Sequence, residues 1–397
     1  MNKVYLIALG AFFAGTAELI ISGILSMLAA SVGISIAQAG MLVTAYSIGF
    51  AVGTPILIAL TSRINRKRLM MVSLLAFSLS NLIFAFSSHY AFLMSIRVIV
   101  GISAGVFCVI ALGSITKLVR DNQLGNAMGT IALAFSFSMV LGVPIGAVMS
   151  KLWGWESIFY ALAIGGLFVL LPLQRSLPDI PADKPEPFLQ QFTVLKNVSV
   201  AGPLLLSMLL GAGNSVMLTY IAPFVEHALK LSSDAPSVVL LAVGVVGIAG
   251  SKLGGIGIDR YGSVRMMIIG LSGSFLSLVA MPLFADISPA ISLALIGIWG
   301  FSIFSAVPAV NAYIVRTAPS SVSFILSLNT SVTHLGLAIG ASAGGWLVRL
   351  NDKANALYLP WLASLFVLLA LTAAVLSVQN HKMRVRLVQK VQQRSTN

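Results

Sequence analysis

The chain has 397 residues, of which 58% are hydrophobic and only 9% are charged, and its formal net charge is +13. Soluble domains carry about 25% charged residues, so this composition excludes a soluble protein and indicates a polytopic membrane protein. The excess of basic residues is then explained by membrane topology rather than by nucleic-acid binding. A single cysteine, Cys108, rules out an intrachain disulfide. The sequence has no Walker or G-x-G-x-x-G signature, which argues against ATP as the energy source, and we expect no cofactor or metal.

Twelve apolar segments are each long enough to cross the roughly 30 Å hydrocarbon core of a bilayer. We predict spans at about 4–30, 38–60, 69–88, 91–115, 124–149, 156–174, 199–224, 236–258, 265–285, 289–314, 321–348 and 356–378. Four prolines among charged residues mark 175–198 as a linker between the sixth and seventh spans. The sequence therefore predicts an all-α membrane protein with two six-helix bundles, at 1–174 and 199–378, and a basic tail at 379–397.

The distribution of basic residues predicts the orientation of the spans. Eighteen Lys and Arg residues fall on the side of the N-terminus, and four fall on the opposite side. Basic residues concentrate in cytoplasmic loops, so both termini, the linker and the tail are expected in the cytoplasm. The predicted location is the cell membrane (inner or plasma membrane), crossed many times.

The two halves of the chain resemble each other. The pattern of glycine and arginine at 53–70 recurs at 250–267 with a constant offset of 197 residues, each time in the loop after the second span of a half. The two glycines of 142–146 recur in 340–344 at an offset of 198. Parallel repeats of this kind are typical of a transporter architecture in which two similar halves face each other.

Glu18 is the only acidic residue that cannot be placed near a membrane surface, and a carboxylate at membrane depth is a functional-site hypothesis by default. At 1.5 Å per residue, it lies about 9 Å from the outer face of the hydrocarbon core, and Arg97 in the fourth span lies at about the same depth. Burying either charge alone costs several kcal/mol, so the sequence predicts a Glu18–Arg97 ion pair. An apolar site and a nearby guanidinium move a carboxyl pKa in opposite directions, which makes the pair a candidate proton switch.

His334 lies in the middle of the eleventh span, close to Asn329. An intramembrane histidine can titrate near neutral pH, although a neutral, hydrogen-bonded histidine is the commoner structural role. The second half has no acidic counterpart of Glu18, so proton handling is expected to be confined to the first half.

Four stretches resemble motifs of the major facilitator superfamily. The loop 255–265, with Asp259-Arg260-Tyr261-Gly262 and then Arg265, resembles the superfamily's loop signature, and 61–68 resembles the same motif with Ser62 for Asp and Asn65 for Gly. The run Arg97-x-x-x-Gly101-x-x-x-Gly105 resembles the proton-linked arginine motif, and Gly142-Val-Pro144-Ile-Gly146 resembles the antiporter motif. The stretches 15–18 and 46–55 are similar to the bacterial twelve-span efflux subgroup that includes arabinose, purine-nucleoside and chloramphenicol exporters.

The resemblance implies roles for named residues. Two bundles would rock about a midplane cavity, with a hinge and leak seal at Gly142, Pro144 and Gly146. A cytoplasmic latch is implied at Asp259, Arg260, Gly262, Arg265 and Arg63. Because Ser62 cannot supply the usual acid, the latch of the first half is weakened, and the protein is expected to lean toward a state open to the cytoplasm. The expected substrate cavity has these residues: Phe107, Asn214, Tyr220, Trp299, Asn311, Tyr313 and Asn329.

These patterns predict a proton-coupled exporter of a small molecule, either drug-like or a sugar or nucleoside, with Glu18, Arg97 and His334 handling the proton. The alternatives are a facilitator or importer on the same fold and a lipid or glycolipid flippase. An enzyme is not expected, because Glu18 and His334 alone make a thin catalytic cluster. The expected partners are the substrate, protons and the bilayer, without nucleic acid, and a monomer is expected because one chain holds both halves.

Overall fold

The computed structural model describes residues 2–119, 124–182, 198–232, 234–317, 322–350 and 355–395. Within these ranges every regular element is helical, and twelve helices are long and apolar enough to cross a membrane. In chain order they are α1 (Asn2–Gly23), α2 (Ile36–Leu60), α3 (Arg66–Ala85), α4 (Tyr90–Leu118), α5 (Leu124–Phe137, Ser138–Gly142 and Val143–Trp153 in succession), α6 (Glu156–Ser176), α7 (Val198–Thr219), α8 (Ala235–Tyr261), α9 (Ser263–Ala285), α10 (Pro289–Thr317), α11 (Val322–Leu350) and α12 (Leu359–Ser395).

The prediction of twelve membrane-crossing helices is confirmed, and the differences lie at their ends. The first predicted span, 4–30, is two helices, because α1 ends at Gly23 and a short helix, Leu25–Val32, follows. Helix α12 continues through the predicted basic tail to Ser395. Most of the predicted linker, at 183–197, lies outside the described residues.

The helices pack in two sets that meet along two seams. In the first set α3 packs on α4 and α6, and α1 packs on α5. In the second set α9 packs on α10, and α7 packs on α11 and α12. Helix α2 contacts α11, and α5 contacts α8, across the boundary between the sets. These two seams enclose the space in which the candidate site lies.

Helices α2 and α5 each contain a π-helical turn that ends two residues before a proline. The turns are Gly49–Gly53, ahead of Pro55, and Ser138–Gly142, ahead of Pro144. Proline lacks a backbone N–H and clashes with the preceding turn, so a helix that keeps it must widen or bend. Both irregular turns lie on helices that contact the opposite set.

The two sets are joined by polar contacts at the face opposite the one from which α1 starts, which we call the far face. The contacts near it are Ser26 Oγ to Glu226 Oε2 (3.0 Å), Lys151 Nζ to Asp234 Oδ1 (2.6 Å) and Thr44 Oγ1 to Ser342 Oγ (3.1 Å). The Lys151 and Asp234 side chains are 60% and 64% exposed, and such pairs contribute at most about 1 kcal/mol. Apolar packing along the seams therefore supplies most of the closure at the far face.

Candidate functional site

A cavity of about 230 Å³ lies between the two sets of helices and is lined by α1, α2, α7, α10 and α11. Its wall contains one carboxylate, one imidazole and three carboxamides, from Glu18, His334, Asn214, Asn311 and Asn329. The other lining residues are aliphatic side chains, serines, threonines and one glycine, with no Lys, Arg or aromatic ring among them. The wall is therefore mainly apolar, with a few hydrogen-bonding groups, as in small-molecule sites generally.

Glu18 faces His334 across the boundary between the sets. Oε1 of Glu18 lies 3.4 Å from Nε2 of His334, and their side chains are 18% and 10% exposed. This separation is short enough for an ion pair but longer than a good hydrogen bond. The contact joins α1 of the first half to α11 of the second half.

The ring of His334 is held from two directions. Its Nδ1 lies 3.0 Å from the carbonyl oxygen of Thr330, one turn earlier on α11. Because a carbonyl only accepts, Nδ1 carries a hydrogen, so a neutral ring presents its lone pair at Nε2 toward Glu18. The ring also stacks on Phe50 of α2, with centroids 3.7 Å apart and planes 3° from parallel. A side chain of the second half is thus clamped by two side chains of the first.

Arg97 does not form the predicted ion pair with Glu18, and that prediction is wrong. The side chain is fully buried and donates from Nη1 to the carbonyl oxygen of Ala17 (2.9 Å) and from Nε to that of Leu42 (3.3 Å). Its guanidinium carbon also lies 4.8 Å above the ring of Tyr46. Depth arithmetic put Glu18 and Arg97 at one level, but it could not give the rotation of α1, which turns the Ala17 carbonyl toward Arg97 and the Glu18 carboxylate toward the cavity.

The expectation that proton handling is confined to the first half stays a prediction, although a titratable group of the second half, His334, lies beside Glu18. A histidine was not counted as the counterpart of a carboxylate. The sequence did single out His334 as a candidate, but it could not show that α11 packs on α2 at this level.

Several buried polar atoms of the cavity wall have no hydrogen-bond partner in the described part of the chain. They are Ser47 Oγ, Ser207 Oγ, Asn214 Oδ1, Asn329 Oδ1 and His334 Nε2. Asn329 does donate from Nδ2 to Asn311 Oδ1 (3.0 Å), which ties α11 to α10. Buried polar groups normally have partners, so five such atoms around one cavity make it a candidate site for a polar ligand.

Three of the seven residues predicted for the cavity line it: Asn214, Asn311 and Asn329. The four aromatic residues do not, because each is buried in helix packing. Phe107 and Trp299 are 1% and 0% exposed, Tyr220 donates to the Ala341 carbonyl (2.8 Å), and the Tyr313 hydroxyl lies 3.0 Å from that of Ser377. A large ring in an apolar helix is equally suited to a seam and to a cavity, and only the packing separates the two.

Sequence reasoning missed the small hydroxyl side chains and Phe50. Ser47, Ser207 and Thr333 line the cavity, but serine and threonine are common throughout these spans and carry no distinguishing spacing. Phe50 had a weak signal, because it lies within the 46–55 stretch that resembles the efflux subgroup.

The predicted hinge residues lie where α5 packs on α1. A Cβ added to Gly142 would collide with the side chain of Thr16, and one added to Gly146 would collide with that of Ile20. Thr16 and Ile20 flank Glu18 on the neighbouring face of α1. Pro144 is the second residue after the π turn. The glycine-proline segment therefore supports the helix that carries the carboxylate.

The predicted latch residues lie at the near face, from which α1 starts. Gly262 joins α8 to α9 with φ +86°, a conformation that favours glycine. Asp259, Arg260, Arg265 and Arg63 are exposed, and within the described residues none of them forms an ion pair. Arg260 instead lies over the ring of Tyr261, at 5.3 Å. The latch remains a prediction.

Comparison with known proteins identifies the class. The model of the Major Facilitator Superfamily matches residues 7–341 of the chain. The chain is 32% identical over 374 residues to the uncharacterized MFS-type transporter YbcL of Bacillus subtilis (strain 168), covering 94% of this chain and 95% of that protein. It is 29% identical over 348 residues to the inner membrane transport protein YdhP of Escherichia coli (strain K12), covering 86% and 87%.

Solved structures share the fold at low sequence identity. A bacterial homologue of the human lysosomal transporter Spinster, in an inward-facing and occupied conformation, superposes with a TM-score of 0.76 at 15% identity, covering 95% of this chain and 96% of that one. A D-xylose–proton symporter gives 0.74 at 18% identity, with coverage of 94% and 97%. The chain belongs to the Major Facilitator Superfamily. It is a multi-pass membrane transporter and not an enzyme.

Proposed function

We propose that this transporter exports a small solute from the cytoplasm in exchange for protons, with Glu18 as the proton-binding group. The observation that carries the proposal is the position of Glu18. Its carboxylate lines the cavity between the halves, beside buried polar atoms that have no partner among the described residues. Proton and solute would therefore meet the same group, which is what exchange requires.

The packing around Glu18 supports exchange over simple facilitation. The glycine-proline segment that resembles the antiporter motif lies against α1 on both sides of Glu18. A close, rigid contact there would limit leakage of protons past an empty cavity. The proposed orientation keeps both termini in the cytoplasm of the cell, so the near face is cytoplasmic and the far face is external.

The cavity favours a small, hydrogen-bonding solute over a bulky drug. Its volume of about 230 Å³ is below the roughly 300–1,000 Å³ of sites for drug-sized ligands. The partnerless oxygens of Asn214 and Asn329 are acceptors, so they suit a solute with hydroxyl or N–H donors, such as a sugar or nucleoside. A lipid flippase is disfavoured, because an anionic headgroup would need a cation and the wall has no Lys or Arg.

The test uses the full chain in proteoliposomes with an imposed pH gradient and a panel of sugars, nucleosides and small drugs. Wild type is compared with Glu18→Gln and with the matched control Glu156→Gln, whose acid lies at the start of α6, outside the cavity wall. We expect gradient-driven transport in wild type and Glu156→Gln, and its loss in Glu18→Gln. Wild-type rates in Glu18→Gln would refute the role of Glu18. Counterflow in wild type without any response to the gradient would favour a facilitator.

A further inference from the structure

We infer that the Glu18–His334 contact is one proton site built by both halves of the transporter, and that it holds the far face shut only while it contains one proton. The inference rests on the proposed function and deepens it by adding His334 and Phe50 to the proton machinery. It is carried by the geometry of three side chains from three helices, α1, α2 and α11.

The hydrogen-bond chemistry of the pair limits its useful protonation states. With Nδ1–H committed to the Thr330 carbonyl, His334 can gain or lose a proton only at Nε2, the atom that faces Glu18. Without a proton, the lone pair of Nε2 faces a carboxylate, and two acceptors oppose each other. With one proton, an imidazolium faces a carboxylate, or a carboxylic acid donates to Nε2, and both forms attract. With two protons, a neutral acid faces an imidazolium, and the attraction between opposite charges is gone. Attraction is therefore greatest with one proton.

The charged surroundings of Glu18 belong to the first half. Among the described residues, Glu18 also interacts electrostatically with Tyr46 on α2 and with Arg97 and Cys108 on α4. Within the described residues, His334 has no ion-pair partner other than Glu18. When the halves separate, Glu18 keeps its surroundings, whereas His334 loses both Glu18 and the stacked ring of Phe50. Separation is therefore coupled to the protonation of this pair.

The location of the pair connects protonation to one particular gate. His334 lies near the middle of α11, and Glu18 meets it from a position five residues before the far-face end of α1, so the pair lies deeper than the contacts Ser26–Glu226 and Lys151–Asp234. Opening the far face must pull α11 away from α1 and α2 and so break the pair. The pair also lines the cavity, so a bound solute competes for the same two groups. The resting transporter, with one shared proton, stays shut, and either a solute or a change in proton number releases it.

Phe50 is a positioning residue in this arrangement. A parallel ring at 3.7 Å holds the imidazole in place beside Glu18. Removing the phenyl ring would therefore loosen the contact between His334 and Glu18.

The experiment measures the opening of the far face against pH, without solute and without a gradient. Cys108 is replaced by Ser, and spin labels are placed at Ser88 and Ile287, two exposed positions in far-face loops of opposite halves. Pulsed electron–electron double resonance then measures the distance between the two labels from about pH 5 to about pH 9, a range that spans neutral pH. We expect the closed population of wild type to be bell-shaped in pH. A distance that does not change with pH would overturn the inference.

Two variants test which residue produces the acid limb and which produces the alkaline limb of the bell-shaped pH profile. His334→Gln cannot lose its proton, so it should lack the alkaline limb, and Glu18→Gln should lack the acid limb. A full bell in either variant would overturn the inference. Phe50→Leu should keep both limbs and lower the maximum of the closed population, since the imidazole loses only its stacking on the phenyl ring. Its matched control is Phe168→Leu, which removes a ring that is 68% exposed on α6 and should leave the profile unchanged.

Failure of this inference can be told apart from failure of the proposed function. If the distance does not change with pH but transport still responds to the pH gradient, the gate at Glu18 and His334 is refuted and proton-coupled export stands. If the closed population is bell-shaped in pH but transport does not respond to the pH gradient, the gate stands and proton-coupled export is refuted. Phe50→Leu keeps an apolar side chain, so it serves as the informative variant if either charge substitution fails to fold.

Discussion

The two halves of the cavity wall differ in chemistry although their helices share one architecture. The first half contributes the carboxylate Glu18, with the buried cation Arg97 directly behind it. The second half contributes the carboxamides Asn214, Asn311 and Asn329. Charge that responds to protons therefore lies mainly on one side, and neutral hydrogen-bonding groups lie on the other. One half can thus serve energy coupling and the other solute recognition, and His334 is where the second half contacts Glu18 of the first.

The largest effect is expected at the buried cation of the first half. Arg97→Lys keeps the charge but loses the planar fork that reaches two backbone carbonyls, so it should lower the free energy of unfolding by about 3 kcal/mol. Arg349→Lys, at the exposed end of α11, should change it by less than about 0.5 kcal/mol. Thermal unfolding in detergent measures both. If Arg97→Lys and Arg349→Lys are equally stable, the hydrogen bonds of Arg97 do not stabilise the first half.

The next effect is expected where α5 packs on α1. Gly142→Ala places a methyl group against Thr16 and should destabilise the protein by about 1–3 kcal/mol. Gly129→Ala, on the same helix, meets open space and should be neutral or stabilising by up to about 1 kcal/mol. The same unfolding assay compares them, and a proton-leak assay in liposomes reports the seal. If both alanines behave alike, the close approach of α5 to α1 does not support the first half.

A smaller effect is expected on the solute side. Asn329→Leu replaces a carboxamide of the cavity wall with an apolar side chain of similar size and removes its hydrogen bond to Asn311. The half-saturation constant for solute in counterflow should therefore rise about tenfold. Asn81→Leu is the control, because Asn81 is buried on α3 and donates to the Phe77 carbonyl, away from the cavity. It should affect stability and leave the half-saturation constant unchanged. A loss of proton coupling in Asn329→Leu would contradict the division between halves.

The smallest effect concerns the far-face contact between the halves. Burial raises the pKa of Glu226, and the hydrogen bond from Ser26 lowers it in part. A carboxyl group with a raised pKa binds its proton more tightly in the folded state, so stability should fall as the pH rises from the ordinary carboxyl range through the raised pKa. Glu226→Gln should flatten this decline by less than about 1 kcal/mol, measured as thermal unfolding against pH. A decline that is unchanged in Glu226→Gln would assign it to another group.

The sequence by itself determined the class of fold and the unusual residues. Apolar length and the scarcity of charge predicted all twelve helices, because a bilayer permits few alternatives to a spanning helix. Glu18, Arg97 and His334 were also visible, since ionisable residues are rare and costly inside a membrane. The family resemblance implied the three asparagines that line the cavity, but it also implied four aromatic residues that lie in helix seams instead.

Only the tertiary structure decided which of these residues meet. Sequence position fixes how deep a residue lies along a helix, but the rotation of each helix and the choice of its neighbours come from packing between halves that are distant in the chain. For that reason Glu18 and Arg97 share a level and yet point to different partners. Glu18 meets His334, more than 300 residues away, because α2 and α11 pack together and bring the imidazole onto Phe50.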